Sequence, residues 1–142
     1  MNTIKTLLRN KGGDVWSVLP ESSVYDAIHL MAEKEIGALL VMETDQLVGI
    51  ISERDYARQI ILKGRSSHDT HVKEVMTSNV ITATRQNSID DCLELMSRHR
   101  FRHLPIVDED KVVGVVSVGD LVKAIISDQQ ETIHELERYI HG

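Results

Sequence analysis

The 142-residue chain is 42% hydrophobic and 27% charged, with a formal net charge of −6. This is the length of one domain and the composition of a soluble globular protein, and the acidic balance argues against a nucleic-acid partner, whose phosphates want a basic face. No apolar run approaches the ~20 residues of a membrane helix, the stretch Met1–Asn10 lacks the apolar core of a signal peptide, and the lone Cys92 excludes an internal disulfide framework and fits a reducing compartment, read as the cytoplasm.

In chain order, residues ~3–9 predict a short amphipathic helix, capped by Thr3 and ended by Gly12-Gly13. Asp14 to Val18 is extended, and Pro20 turns the chain. Ser23-Val-Tyr-Asp26 is a capping box before an apolar helical pattern of Ala27, Ile28, Met31 and Ala32, which Gly37 is expected to stop. Two strands follow, Ala38 to Met42 and Leu47 to Ile51, joined by a polar turn. Ser52 opens another helix that closes near Lys63-Gly64. Residues 65–74 are polar and aperiodic and predict a linker.

The pattern then restarts. Val15 to Ile60 aligns on Val80 to Ile125 without a gap, an offset of 65 positions, with twelve identical pairs in 46 positions. Among them are Ser23/Ser88, Asp26/Asp91, Met31/Met96, Leu39/Leu104, Gly49/Gly114, Ser52/Ser117 and Asp55/Asp120. Caps, turn and apolar strands all stay in phase, which marks an internal duplication. Each copy predicts β-α-β-β-α, a mixed α/β fold. A 46-residue unit buries too little surface to stand alone, so the copies are expected to share a core about a pseudo-two-fold axis, with equivalent clefts where they meet. The expected boundaries are 1–13 for an N-terminal helix and lead-in, 14–64 for the first motif, 65–75 for the linker, 76–126 for the second motif and 127–142 for a C-terminal helix. Ile133, Leu136 and Ile140 fall on one side of that last helix.

No catalytic constellation stands out. His134-Glu-Leu-Glu-Arg lacks the second histidine of a metalloprotease helix, and neither dinucleotide-binding nor P-loop glycine patterns occur. Cys92 reads as a buried small apolar group, and His68, His71, His99 and His103 as solvent-facing rather than metal-binding. The candidate chemistry lies in two heptapeptides, Gly49-Ile-Ile-Ser52-Glu-Arg54-Asp55 and Gly114-Val-Val-Ser117-Val-Gly-Asp120. Ser-x-x-Asp alone is a helix cap. Placed at a strand end, it also offers free backbone N–H groups and a hydroxyl at one mouth, suited to a phosphate or polyol. An Asp one turn in can accept from both hydroxyls of a ribose diol. Arg98, His99, Arg100, Arg102 and His103 crowd the corner before Leu104, and Arg54 adds a cation beside Asp55; these favour an anion.

These heptapeptides, with Val75-Met-Thr-Ser-Asn-Val-Ile-Thr82 and Phe101-Arg-His-Leu-Pro-Ile-Val-Asp108, resemble the CBS-domain family, named after cystathionine β-synthase, over residues ~10–126. The likeness is to a stand-alone pair of CBS motifs, or Bateman module. It implies tandem β-α-β-β-α motifs and an adenosyl ligand in the inter-motif clefts: AMP, ADP or ATP, sometimes S-adenosylmethionine or NAD. By the same resemblance Asp55 and Asp120 hold ribose hydroxyls. Ser52 and Ser117 contact ribose or phosphate, and Arg102, His103 and Arg54 contact phosphate. Ser17, Val18 and Pro20 in one copy, and Thr82, Ala83 and Thr84 in the other, hold adenine. In the first copy Ile36, Gly37 and Ala38 replace the basic pair, and in the second Arg85 replaces the proline matching Pro20. The Asp120 site is therefore expected to favour anionic nucleotides, and the Asp55 site to be weaker, empty or selective for another ligand.

The expected function is regulatory: a non-catalytic module that binds an adenine nucleotide, needs no metal, forms a homodimer and signals to a protein partner, with no nucleic acid or membrane involved. The alternative is a ligand-independent dimerisation scaffold in which the Ser-x-x-Asp pairs are only caps. An enzyme acting on nucleotides has little support without a positioned nucleophile.

Overall fold

The computed structural model describes residues 3–141, apart from the side chain of His141. Met1, Asn2 and Gly142, which the expected terminal segments include, lie outside the described residues. Two compact units are present. The first-repeat unit is Val15–Ile81; the second-repeat unit joins the segment ending at Asp14 to the segment starting at Thr82.

In the first-repeat unit, β1 (Ser17–Val18) lies parallel to β2 (Ala38–Glu43), and β2 pairs antiparallel with β3 (Gln46–Ser52). Between them α2 (Val24–Lys34) starts at Ser23, whose Oγ accepts from the Asp26 amide at 3.0 Å. The helix ends at Glu35, in the left-handed region at φ 56°, two residues before the Gly37 expected to stop it. The β2–β3 hairpin turns on Thr44 and Asp45, both at positive φ, as a two-residue turn compatible with strand twist requires. After β3, α3 (Glu53–Tyr56) runs into a π-helical turn at Ala57–Ile61.

The apolar face of α2, with Val24, Ala27 and Met31, packs on Leu39, Val41 and Ile51 of the sheet and on Ile60. Val72 and Val75 complete this core, so the stretch expected as a linker folds into the unit. α4 (Val72–Val75) is tied down by Val72 N–H donating to Ser22 O at 2.8 Å and Lys73 N–H to Pro20 O at 3.0 Å. Thr70 is buried, and His68 stacks on Tyr25 with ring centroids 4.0 Å apart. The polar composition of 65–74 hid Val72, which the core needs.

The second-repeat unit uses the same plan with one reduction. α5 (Ile89–His99) is capped by Ser88 and stops at Arg100, φ 60°. β4 (His103–Asp108) pairs antiparallel with β5 (Lys111–Ser117). The strand matching β1 shrinks to one parallel bridge, Ala83 to Ile106. From Ser117 a single 24-residue helix, α6 (Val118–His141), runs on; the expected break before a separate helix at 127–142 does not occur. Leu121 is buried, whereas every described side chain from Ile126 onward is exposed. Among the described residues no helix is long and apolar enough to cross a membrane.

The N-terminal helix α1 (Ile4–Lys11) supplies Ile4, Leu7 and Leu8 to the buried side chains of this unit. Thr3 caps it and Gly12, at φ 96°, ends it. Its placement repeats that of α4. Ile4 N–H donates to Asn87 O at 3.0 Å and Lys5 N–H to Arg85 O at 3.1 Å; Thr3 bridges Ser88 as His71 bridges Ser23. Residues 3–8 thus match 71–76 at an offset of 68 (71 − 3), three more than the 65 between the repeats proper. The difference falls after Leu8, where α1 runs one turn longer, through Arg9, Asn10 and Lys11.

This pairing explains the motif glycines. A Cβ on Gly49 would run into the Met76 sulfur and lie 3.1 Å from Thr77 O; on Gly114 it would meet Leu8 Cδ2 at 2.7 Å. Each glycine makes room for the short helix behind its strand. Its role is packing.

Candidate functional site

At the end of β3, Ser52 and Asp55 form a reciprocal capping box. Asp55 Oδ2 accepts from Ser52 N–H at 2.9 Å and from Ser52 Oγ at 3.1 Å, while Ser52 Oγ accepts from Asp55 N–H at 3.2 Å. Ser117 and Asp120 repeat this at the end of β5: Asp120 Oδ2 accepts from Ser117 N–H at 2.8 Å, and Ser117 Oγ accepts from Asp120 N–H at 3.1 Å. Capping, one of the two roles open from the sequence, is therefore real at both positions. All four side chains remain half-buried at their strand ends.

The second-repeat unit gathers charge around Asp120. His103 is the cross-strand partner of Ser117, and Arg102 O accepts from Val118 N–H at 3.0 Å, which sets the entry of α6. Lys11 was not singled out from the sequence. Its Nζ donates to Asp120 Oδ2 at 2.7 Å and also to Val115 O. Burial pushes the Asp120 carboxyl up, but donation from Lys11 and from the Ser117 amide outweighs it and holds the group below its ordinary 3.8. His103 is depressed below its ordinary 6.5, first by burial and then by the Lys11 charge; Arg102 adds to this and Asp120 opposes it. Ser117, Asp120, His103 and Arg102 are thus brought together. His103 is half-buried, where the sequence reading has it solvent-facing; Arg102 is exposed.

In the first-repeat unit Ala38 occupies the place of His103, opposite Ser52, and Arg54 sits exposed in the first turn of α3. Ser17 and Val18 form β1 beside Leu40 and Val41. Pro20 is buried with its carbonyl engaged by Lys73. In the other unit Thr82 is exposed, Ala83 is buried in its bridge, and the Thr84 N–H donates to Asn87 Oδ1 at 2.8 Å. Arg85 pairs with Asp108 at 3.5 Å. Cys92 is fully buried and its thiol is pushed up to about 11, chiefly by burial, so it is not a nucleophile at neutral pH. Among the described residues no three His, Cys, Asp or Glu side chains come together as a metal site.

The depressed His103 gives a pH signature. Below its unfolded pKa near 6.5 the unfolded chain binds a proton that the folded chain resists, so stability falls as pH drops toward the folded value and levels off above pH ~7. Urea unfolding at pH 5.5 and 7.5 is expected to show a larger loss on acidification for the wild type than for His103→Gln. Equal losses would contradict this burial.

The family model of the CBS domain matches residues 8–62 and 72–127. The CBS domain-containing protein CBSX3, mitochondrial, of Arabidopsis thaliana is 37% identical over 150 aligned positions, covering 99% of this chain and 72% of that protein. The structure of a putative signal-transduction protein with CBS domains from Burkholderia ambifaria superposes with a TM-score of 0.87 at 47% identity, over 90% of this chain and 96% of that one. The CBS domain pair of protein MJ0100, solved in complex with 5′-methylthioadenosine and S-adenosyl-L-methionine, superposes with a TM-score of 0.80 at 25% identity, over 90% and 98% of the two chains.

Proposed function

The chain belongs to the CBS-domain family, and on that premise we propose that it is a regulatory module that binds an adenosyl nucleotide and signals to a partner by changing conformation. The observation that carries this reading is the adenosyl ligands of the MJ0100 domain pair, a fold shared over 90% of this chain. In our reading Asp120 and Asp55 take ribose hydroxyls, Ser117 and Ser52 contact ribose or phosphate, and His103, Arg102 and Arg54 face phosphate. Ser17, Val18, Pro20, Thr82, Ala83 and Thr84 hold the base through backbone and apolar groups. AMP, ADP or ATP are the preferred ligands of the Asp120 site, because the cations gather there. A reducing compartment such as the cytoplasm suits the single, buried Cys92.

One observation favours the rival scaffold: both motif carboxylates already serve helix caps. Thermal unfolding with AMP, ADP, ATP, NAD and S-adenosylmethionine separates the two. A ligand at ~100 times its Kd adds about 2.7 kcal/mol, a rise in Tm of several degrees. No rise with any of them leaves the scaffold.

The homodimer belongs to the same proposal and rests on α6. Ile126, Ile133 and Ile140 recur every seven residues, with Val122 and Leu136 interleaved, and all five are exposed. Isoleucine at one heptad position, with Val122, Gln129 and Leu136 at the other, makes a mostly apolar stripe of the kind that seams a two-stranded coil, so a second copy of α6 is the occupant that fits. Light scattering is expected to give a dimer for the wild type and a monomer for Ile133→Asp or Leu136→Asp, with Tm little changed. A dimeric Leu136→Asp protein would move the interface elsewhere.

A further inference from the structure

We propose that Lys11 makes the Asp120 site selective for phosphorylated ligands, by occupying the carboxylate until an anionic group draws its ammonium away. The inference rests on the adenosyl reading above and adds to it a residue outside the repeat pattern.

Lys11 Nζ is 2.7 Å from Asp120 Oδ2, the oxygen that already accepts from Ser117 N–H at 2.8 Å. A carboxylate oxygen has two lone pairs, so both positions on Oδ2 are filled. A ribose diol that spans the two carboxylate oxygens therefore displaces Lys11. A neutral nucleoside offers the freed ammonium nothing in return. A nucleotide offers phosphate oxygens, and a lysine on its flexible four-carbon stem can swing to them. The exchange is close to even for a nucleotide and uphill for a nucleoside. His103 belongs to the same cluster, since Lys11, Asp120 and Arg102 all act on it electrostatically.

The first-repeat unit has no counterpart of the turn that carries Lys11. Its short helix α4 ends at Val75, and Met76 packs at Gly49 where Leu8 packs at Gly114. Arg9, Asn10 and Lys11 are the extra turn that the offset of 68 against 65 requires, and the last of them reaches the carboxylate. The two units thus share the Ser-x-x-Asp geometry, and the Lys11 turn belongs to the second.

NMR titration of the full chain with adenosine and with AMP, following the Ser117 and Asp120 amide signals, reads this site separately from Asp55. In the wild type AMP is expected to bind at least ~10-fold more tightly than adenosine, the scale of one charge-assisted hydrogen bond. In Lys11→Met adenosine gains, AMP changes little, and the ratio falls toward the preference that Arg102 and His103 alone supply; Lys11→Arg keeps the full preference. Lys11 is exposed and methionine retains its stem, and the amide spectrum reports whether the variant folds. A Lys11→Met protein that binds AMP with an unchanged preference overturns the role of Lys11 and leaves the adenosyl reading standing. Signals that respond to neither compound in any of the three proteins overturn that reading and the inference with it.

Discussion

Ile4→Ala is expected to destabilise the protein by about 2–5 kcal/mol, the range for deleting a large aliphatic side chain from a sealed core. Ile4 has no exposed surface, and Leu7 and Leu8 beside it are also buried. For a unit of this size the loss corresponds to a fall in Tm of roughly 8–20 °C. Without the structure, the first helix of such a chain would pass for a peripheral appendage whose mutation matters little. The backbone bonds to Asn87 and Arg85 and the space left by Gly114 make it part of the second repeat's core instead. Thermal unfolding by circular dichroism measures the effect directly. Lys5→Ala, on the exposed face of the same helix, should shift Tm by no more than about a degree, since surface changes usually stay within ±0.5 kcal/mol. Similar small shifts for both variants would remove α1 from the core.

The gapless repeat made the strands, the hairpins and the Ser caps legible, because each has a local signal that sequence displays: alternating apolar runs, a Ser-x-x-Asp box, a polar two-residue turn. Three features had no such signal. The match of residues 3–8 to 71–76 is broken from the main repeat by a three-residue shift, and a gapless alignment cannot see it. Lys11 reaches Asp120 across 109 positions, a contact that only tertiary packing creates. Propensity places the end of α2 at Gly37, but Glu35 adopts the left-handed conformation because Ile36 turns back to its bond with Met31 O. The motif glycines are legible in position but not in purpose, because the close packing of Leu8 and Met76 against them is a tertiary contact.

Asp120→Ala is expected to weaken binding of an adenine nucleotide to its site by about 10- to 150-fold, the ~1.5–3 kcal/mol of hydrogen bonds to a charged group. The same change removes the acceptor of Ser117 N–H and the partner of Lys11. Losing the cap should cost about 1 kcal/mol of stability. Losing the ion pair should cost less than that, because Lys11 and Asp120 are 39% and 24% exposed and water screens them. A weakened affinity alone would not separate a ligand role from a damaged helix start. The chain carries its own control in the α5 capping box, where Asp91 Oδ2 accepts from Ser88 N–H at 3.3 Å and Ser88 Oγ from Asp91 N–H at 3.0 Å. Asp91→Ala should lower Tm by a similar few degrees and leave the dissociation constant unchanged. Calorimetric titration of both variants decides the matter. If they lose affinity equally, Asp120 acts only through the stability of its helix; if neither loses any, the ribose contact is absent and the Ser117-x-x-Asp120 box is a cap alone.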